Sequence, residues 1–234
     1  MSVLHARIRK RFAVPHSPAF ELDVDLHVPP GFTILFGHSG AGKSTLLDCL
    51  AGLTKPDEGV VSVGEQVVFD SAARIDTAPA KRCIGYVFQR PALFPNLRVE
   101  QNVAYGIGSL AVAERESRVA EIIHCFHIDG LQRRMPKEIS GGEQQRVALA
   151  RSLVTEPRAL LLDEPLSALD SKIKRKIIDD LLAWNNARPI PILYVTHSTA
   201  ETLALGQRVI QLEQGKIVAE GPPLEVLHRE EVLD

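Results

Sequence analysis

Apolar and polar residues alternate along residues 20–28: Phe20, Leu22, Val24, Leu26 and Val28 are separated by Glu21, Asp23, Asp25 and His27. A period of two puts the apolar set on one face, so this segment predicts a half-buried strand of an antiparallel sheet. Pro29-Pro30-Gly31 breaks it, and residues 33–36 form a short, mostly apolar strand that runs straight into glycine. Residues 43–53 predict a helix and 55–59 a turn. Residues 60–63 and 66–69 predict a hairpin around Gly64-Glu65. A buried strand follows at 83–88. From Pro95 to Val154 the pattern turns helical, most clearly over 111–126. Strand patterns return at 159–162, 192–195, 208–212 and 216–219. Between them, residues 171–184 predict an amphipathic helix with Ile173, Ile177, Ile178, Leu181 and Leu182 on one face. There is no internal repeat, low-complexity tract or long linker.

Strands alternating with helices imply an α/β fold whose mainly parallel sheet is covered on both faces. The early alternating strands imply an antiparallel sheet beside it, and the helical stretch near 95–150 an insertion. The 234 residues allow one large domain, or one with a substantial insertion, and 45% hydrophobic content supports a sizeable core. A net charge of -2 gives no basic excess for nonspecific nucleic-acid binding, so no nucleic-acid partner is expected. No apolar run approaches the roughly 18–20 residues that cross a bilayer. Residues 1–12 alternate apolar with basic side chains and lack a signal-peptide core. A cytoplasmic chain is expected, with any membrane part supplied by another chain. Cys49, Cys83 and Cys125 are odd in number and in no metal-like spacing. They are expected to be reduced and mostly buried.

Gly37-His38-Ser39-Gly40-Ala41-Gly42-Lys43-Ser44 fits G-x-x-x-x-G-K-[ST] and lies between a predicted strand and a predicted helix. Glycines let such a loop curl until its N–H groups face phosphate oxygens, and the helix adds its positive dipole end. Lys43 can reach the β- and γ-phosphates of ATP, and the Ser44 hydroxyl can ligate Mg²⁺. The alternative, a plain glycine-rich turn, does not account for the flanks. Leu160-Leu161-Leu162-Asp163-Glu164 is a strand ending in two carboxylates, where parallel-sheet active sites lie. Asp163 can hold Mg²⁺, directly or through water, and Glu164 can take a proton from an attacking water. Alone, that segment reads equally well as an acidic turn. Ser140-Gly141-Gly142-Glu143-Gln144 opens a helix, and its exposed N–H groups form a second anion site. One nucleotide does not obviously need two such loops.

Residues 37–45, Gln89, Ser140 to Gln144, Leu160 to Glu164, Ser167-Ala168-Leu169-Asp170 and His197 together resemble the ATPase subunits of ABC transporters. The elements stand in the family's order and cover nearly the whole chain. The resemblance implies one ABC-type phosphate-loop NTPase domain over 1–234, with a helical subdomain at about 95–155 inserted in a RecA-like core. It also implies a head-to-tail homodimer. Each ATP would lie between Gly37, His38, Ser39, Gly40, Ala41, Gly42, Lys43, Ser44 and Thr45 of one copy and Ser140, Gly141, Gly142 and Glu143 of the other. Two anion loops in one chain then make sense. Gln89 matches the glutamine linking Mg²⁺ and the attacking water to the insertion. His197 matches the switch histidine at the γ-phosphate, and Asp170 belongs to a segment touching the opposite site. Phe12, after Arg9-Lys10-Arg11, is either the aromatic that stacks on adenine or a core residue.

Two positions depart from the family pattern. Ile139 replaces the usual leucine before the signature, a volume-conserving swap. Glu143 stands where many members have glutamine, although some importer subunits carry glutamate. Within the family, Gly85-Tyr86-Val87-Phe88-Gln89 with Leu93-Phe94-Pro95, the segment Pro191 to Ser198 with Glu201, and Phe69-Asp70-Ser71 are most similar to oxyanion importers, molybdate importers in particular. Those ATPases commonly carry a C-terminal regulatory domain. With the sequence ending at Asp234, neither that domain nor regulation by bound oxyanion is expected here.

The implied partners are two integral membrane permease subunits and an extracytoplasmic substrate-binding protein. The ATPase would sit peripherally on the cytoplasmic face of the membrane. The surface around Gln89, Arg90 and residues 93–96 is expected to dock a short helix of a membrane subunit. A soluble phosphate-loop kinase is the enzyme alternative, against which the signature loop and His197 argue. An ABC ATPase of cell division or lipoprotein release is the other. His124 and His127 beside Cys125 read as packing, since structural metal sites usually need four ligands. Lys172, Lys174, Arg175 and Lys176 read as a solvated face, and Trp184 as a cap on the core.

Overall fold

The computed structural model describes residues 3–12, 20–167 and 169–231. In chain order the strands are β1 (Leu4–Phe12), β2 (Phe20–Val28), β3 (Gly31–Phe36), β4 (Glu58–Val63), β5 (Gln66–Asp70), β6 (Ile75–Asp76), β7 (Ile84–Val87), β8 (Ala159–Asp163), β9 (Pro191–Val195), β10 (Arg208–Glu213) and β11 (Lys216–Gly221). The helices are α1 (Lys43–Ala51), α2 (Val99–Ala104), α3 (Val112–Cys125), α4 (Gly141–Leu153), α5 (Ser171–Ala187), α6 (Thr199–Leu205) and α7 (Pro223–Glu231). The chain forms two compact units. The first comprises Met1–Ile84, Arg158–Asp163 and Pro189–Asp234, and the second Gly85–Pro157 and Glu164–Arg188.

The first unit holds an antiparallel sheet in the order β2-β1-β4-β5-β6. Strand β1 pairs with β2 from Leu4 opposite Val28 to Phe12 opposite Phe20. Leu4, Ala6 and Ile8 turn inward with Leu22, Val24, Leu26 and Val28, all at most 3% exposed. On the other face the same register sets Arg9 3.2 Å from Asp23 and Arg11 2.8 Å from Glu21. These exposed pairs fix register more than they add stability.

Beside the antiparallel sheet, strands β11-β10-β3-β9-β8 follow one another in the second sheet. β10, β3, β9 and β8 run parallel, and β11 closes the edge antiparallel. Every residue of β3 and β9 is buried, which requires the continuous apolar runs seen in the sequence. Leu35 and Asp163 both stand opposite Val195, so the carboxyl ends of β3, β9 and β8 lie level.

Helix α1 stops at Ala51, short of the expected end, because Gly52 takes a left-handed φ of 81° as C-cap. A Cβ at Gly52 would lie 2.5 Å from Arg82 Nε. Arg82 is 1% exposed and donates to the Cys49 and Leu50 carbonyls at 3.1 and 3.0 Å, closing the end of α1. It also donates to the Thr77 carbonyl at 2.8 Å and to Asp76 at 3.2 Å. Burial lowers its pKa, and Asp76 opposes that shift.

The second unit is mainly helical. Helix α4 buries Val147, Ala148, Leu149, Ala150 and Leu153, and α5 buries Ile177, Ile178, Leu181 and Trp184. Asn102 is wholly buried and holds the loop before α2: it accepts from Phe94 N–H and donates to the carbonyls of Phe94, Leu97 and Arg98. Arg151 donates to the Ala92 and Pro91 carbonyls and lies 5.3 Å from the Phe94 ring centre.

The cysteines correct one expectation. Cys49 is buried, but Cys83 and Cys125 are exposed. Cys83 stands just before β7 at a φ of 55°, and Cys125 is the last residue of the half-exposed α3. Among the described residues no helix is long and apolar enough to cross a membrane.

Candidate functional site

In the first unit, Gly42 caps the start of α1 at a φ of 104°, a conformation that favours glycine, and a Cβ there would meet Phe20 Cζ at 2.6 Å. No side chain caps α1 and no acidic residue stands in its first turn, so the loop's N–H groups and the dipole suit an anion. Lys43 is 8% exposed, and its Nζ donates to the Gly37 carbonyl at 2.7 Å and the His38 carbonyl at 2.9 Å. The ammonium is therefore held inside the curl of the loop. His38, Ser39 and Gly40 are exposed, Ala41 is buried, Ser44 is exposed and Thr45 half-buried.

A cavity of about 270 Å³ opens on this loop, lined by His38, Ser39, Gly40 and Ala41 and by Glu213 and Gln214. The turn after β10 reaches the loop because Gln211 stands opposite Phe36. Gly215 N–H donates to the Ala41 carbonyl at 2.9 Å, and Asp23 N–H to the Gly215 carbonyl at 2.8 Å. The turn thus ties the phosphate loop to β2. Sequence reasoning missed Glu213, Gln214 and Gly215. Their signal was the Gln214-Gly215 turn directly after a predicted strand.

Asp163 ends β8, and His197 stands exposed two residues beyond β9. The register brings both to the sheet edge from which the phosphate loop leaves. Phe12, the last residue of β1, is 36% exposed. Its ring lies 6.2 Å from that of Phe20, with Lys10 Nζ 5.5 Å from its centre. It is a strand-end aromatic open to solvent, not a core residue.

In the second unit, Gln89 Nε2 donates to Glu164 Oε2 at 3.4 Å. Glu164 has a left-handed φ of 42°. A non-glycine residue in that region costs on the order of 1–2 kcal/mol, and such strain concentrates at working sites. Asp170 caps α5, its Oδ1 accepting from the N–H groups of Lys172 and Ile173 at 3.1 and 3.0 Å. Ala168, in the same segment, lies outside the described residues.

Ser140 caps α4 in a closed box. Its N–H and its hydroxyl both donate to Glu143 Oε2 at 2.7 Å, and its Oγ accepts from Glu143 N–H at 3.4 Å. Those two bonds from Ser140 hold the Glu143 carboxyl below its ordinary range. Gln144 donates to the Pro136 and Ile139 carbonyls and fixes the approach to the helix. A Cβ on Gly141 would touch nothing, whereas one on Gly142 would come 3.1 Å from Ile173.

The second unit also carries a groove of about 670 Å³ lined by Leu97, Glu100, Tyr105, Arg115, Val119 and Ile123 among others. The ring of Phe94 lies 4.2 Å from that of Tyr105 at its edge. His127 lies 3.3 Å from Asp180, whose pKa burial raises.

The sequence pattern describing the ABC transporter family matches residues 22–167. The chain is 45% identical over 230 residues to the molybdenum import ATP-binding protein ModC of Pseudomonas aeruginosa, covering 98% of this chain and 62% of that protein. It is 42% identical over 216 residues to ModC of Rhodospirillum rubrum, covering 92% of this chain and 58% of that protein. The chain thus spans about three-fifths of the length of these relatives. Among solved structures it is similar to the dimeric ATP-binding cassette MJ0796 in a post-hydrolysis state bound to ADP and Pi. That match has a TM-score of 0.81 and 30% identity, and covers 94% of this chain and 98% of that one. The expected α/β fold, a mainly parallel sheet with an antiparallel sheet and helices, agrees with that likeness.

Proposed function

Because the chain belongs to the ABC transporter family, we propose that it is the ATP-binding and ATP-hydrolysing subunit of an importer. In this reading it works as a head-to-tail dimer against membrane permease subunits on the cytoplasmic face. The observation that carries the reading is that one chain presents two glycine-rich loops at helix N-termini. One holds a buried lysine, and the other, at Ser140, does not. A single nucleotide bridging two copies uses both.

Residues 37–45 would cradle the phosphates through backbone N–H groups, with Lys43 supplying charge. Ser44 and Asp163, one hydroxyl and one carboxylate at the loop's end of the sheet, would supply ligands to Mg²⁺, and Gln89 is proposed as a further one. A hard cation that also takes phosphate oxygens needs few protein ligands. When bound, it would neutralise charge on the transferred phosphoryl group. Glu164 is the general base for the attacking water, and its bond to Gln89 orients the carboxylate. His197 contacts the γ-phosphate, and Phe12 stacks on adenine. Ser140, Gly141, Gly142 and Glu143 face the nucleotide of the other copy.

The substrate proposed is a small oxyanion such as molybdate, on the strength of the molybdenum importer relatives. An extracytoplasmic binding protein would deliver it. A short membrane-subunit helix would dock along residues 93–96, where the Phe94 ring borders the groove at Tyr105. Cysteines placed there should crosslink to the permease, and contacts found only elsewhere would reject this surface.

The chemistry is tested by hydrolysis and binding together. Glu164→Gln should keep ATP binding and lower hydrolysis at least ~100-fold, the usual scale of general-base catalysis. Lys43→Ala should weaken binding itself. Hydrolysis at the wild-type rate in Glu164→Gln would remove Glu164 from the mechanism.

A further inference from the structure

His197 is flanked by two residues that share one buried network. Thr196 is 3% exposed and Glu201, in the first turn of α6, is 5% exposed. Glu201 Oε2 accepts from the Thr196 hydroxyl at 2.9 Å and from the Tyr194 hydroxyl at 2.9 Å. Tyr194 lies in β9 and is 0% exposed. Thr196 Oγ1 in turn accepts from Ser198 N–H at 3.0 Å, a bond that spans His197. On the far side, Ser198 Oγ accepts from Glu201 N–H at 3.3 Å, and the Ser198 carbonyl accepts from the Thr202 hydroxyl at 3.0 Å. The strand, the loop and the helix are joined through one carboxylate.

A carboxylate is an expensive group to bury. A cluster of apolar residues of similar volume in place of Glu201, Thr196 and Tyr194 together would stabilise a fold about as well. What the carboxylate supplies is direction: a satisfied buried polar network admits one geometry, whereas apolar packing admits several. Here the geometry defined is that of the residues immediately before and after His197. The backbone on both sides is fixed to a strand whose register is set by β3 and β8. The histidine itself remains exposed.

We infer that Glu201 and Thr196 are positioning residues that fix the His197 loop for its contact with the γ-phosphate. This rests on the role proposed above for His197. Neither residue touches the nucleotide; both act through the histidine. Tyr194 completes the set by orienting the carboxylate from the strand.

The test uses the full chain and steady-state measurements with Mg²⁺–ATP on wild type and five variants, each paired with binding of a fluorescent ATP analogue. Thr196→Val removes the hydroxyl and should lower kcat about tenfold or more, as losing a buried hydrogen bond and a fixed loop implies, with binding within about twofold of wild type. Thr196→Ser keeps both bonds and should retain the rate. Tyr194→Phe, a milder change that leaves Thr196 in place, should lower kcat in the same direction by less. The decisive arm is the double variant. If the network acts through His197, Thr196→Val added to His197→Ala should lower kcat no further than His197→Ala alone. A multiplied loss in the double variant, or a wild-type rate in Thr196→Val or in His197→Ala, would overturn the inference. Wild-type protein that hydrolyses no ATP even with its membrane subunits would instead defeat the functional reading, and this role with it.

Discussion

Glu164, proposed above as the general base, is held in a backbone conformation that costs the fold. Its φ of 42° suits glycine better than glutamate. Glu164→Gly should therefore raise stability by a few tenths to about 1 kcal/mol after the entropic penalty of glycine, while abolishing hydrolysis. Thermal unfolding checks this, and a large loss of stability would contradict it. Glu143 works in the opposite sense, as a carboxylate the fold prefers charged. Its folded pKa is lowered by the Ser140 hydroxyl and N–H. The stability it contributes is thus complete above the ordinary carboxylate value of 4.5 and is lost as pH falls through the lower folded value. Melting curves of wild type and Glu143→Gln should differ most near neutral pH and converge in acid; a constant gap would contradict this. The thiols separate by burial. Cys49 is pushed up to about 12 chiefly by desolvation, and Cys125 is raised for the same reason. Iodoacetamide should label Cys83 and Cys125 in native protein and Cys49 only after unfolding.

Among the elements, those written in local periodicity were legible and those held by distant groups were not. β2 and the hairpin of β4 and β5 followed from alternation and turn residues, and α5 from its stripe of isoleucine and leucine. The alternation of β1 was visible but did not by itself mark a strand. Its status depends on pairing with both β2 and β4. The strand, glycine loop and helix at 33–51 were legible because contiguous residues build them. Asp163 and His197 were legible as positions, and the level strand ends account for their sharing one edge with that loop. Glu201 was marked only by its place in the family pattern, and Asn102, Arg151 and Arg82 not at all, since each takes its role from backbone carbonyls or hydroxyls that folding brings to it. Arg82 is the clearest case. Arg82→Ala strips the end of α1 of its donors and should cost on the order of 3 kcal/mol, the scale of removing one buried charged partner. Urea unfolding measures this, and a cost below about 1 kcal/mol would mean that water replaces the guanidinium.

At the scale of the whole molecule, the site residues are divided. The phosphate loop, Asp163 and His197 belong to the first compact unit, and Gln89, Glu164, Asp170 and the Ser140 loop to the second. The proposal that the two anion loops meet across a pair of chains makes nucleotide and dimer stabilise each other by linkage. Dimer should then accumulate when hydrolysis is blocked. Gly141 offers a clean way to spoil the meeting, because a Cβ there would come within 4 Å of no neighbouring side chain or loop. A carboxylate at that position would face the γ-phosphate, and like charges about 4 Å apart repel by about 4 kcal/mol at an effective dielectric near 20. The most direct measurement is light scattering of Glu164→Gln protein with and without Mg²⁺–ATP, alone and combined with Gly141→Asp, with nucleotide binding recorded in parallel. The head-to-tail account predicts that Mg²⁺–ATP converts the single variant to dimer and leaves the double variant monomeric although it still binds nucleotide. A double variant that dimerises with ATP as readily as the single one would contradict it.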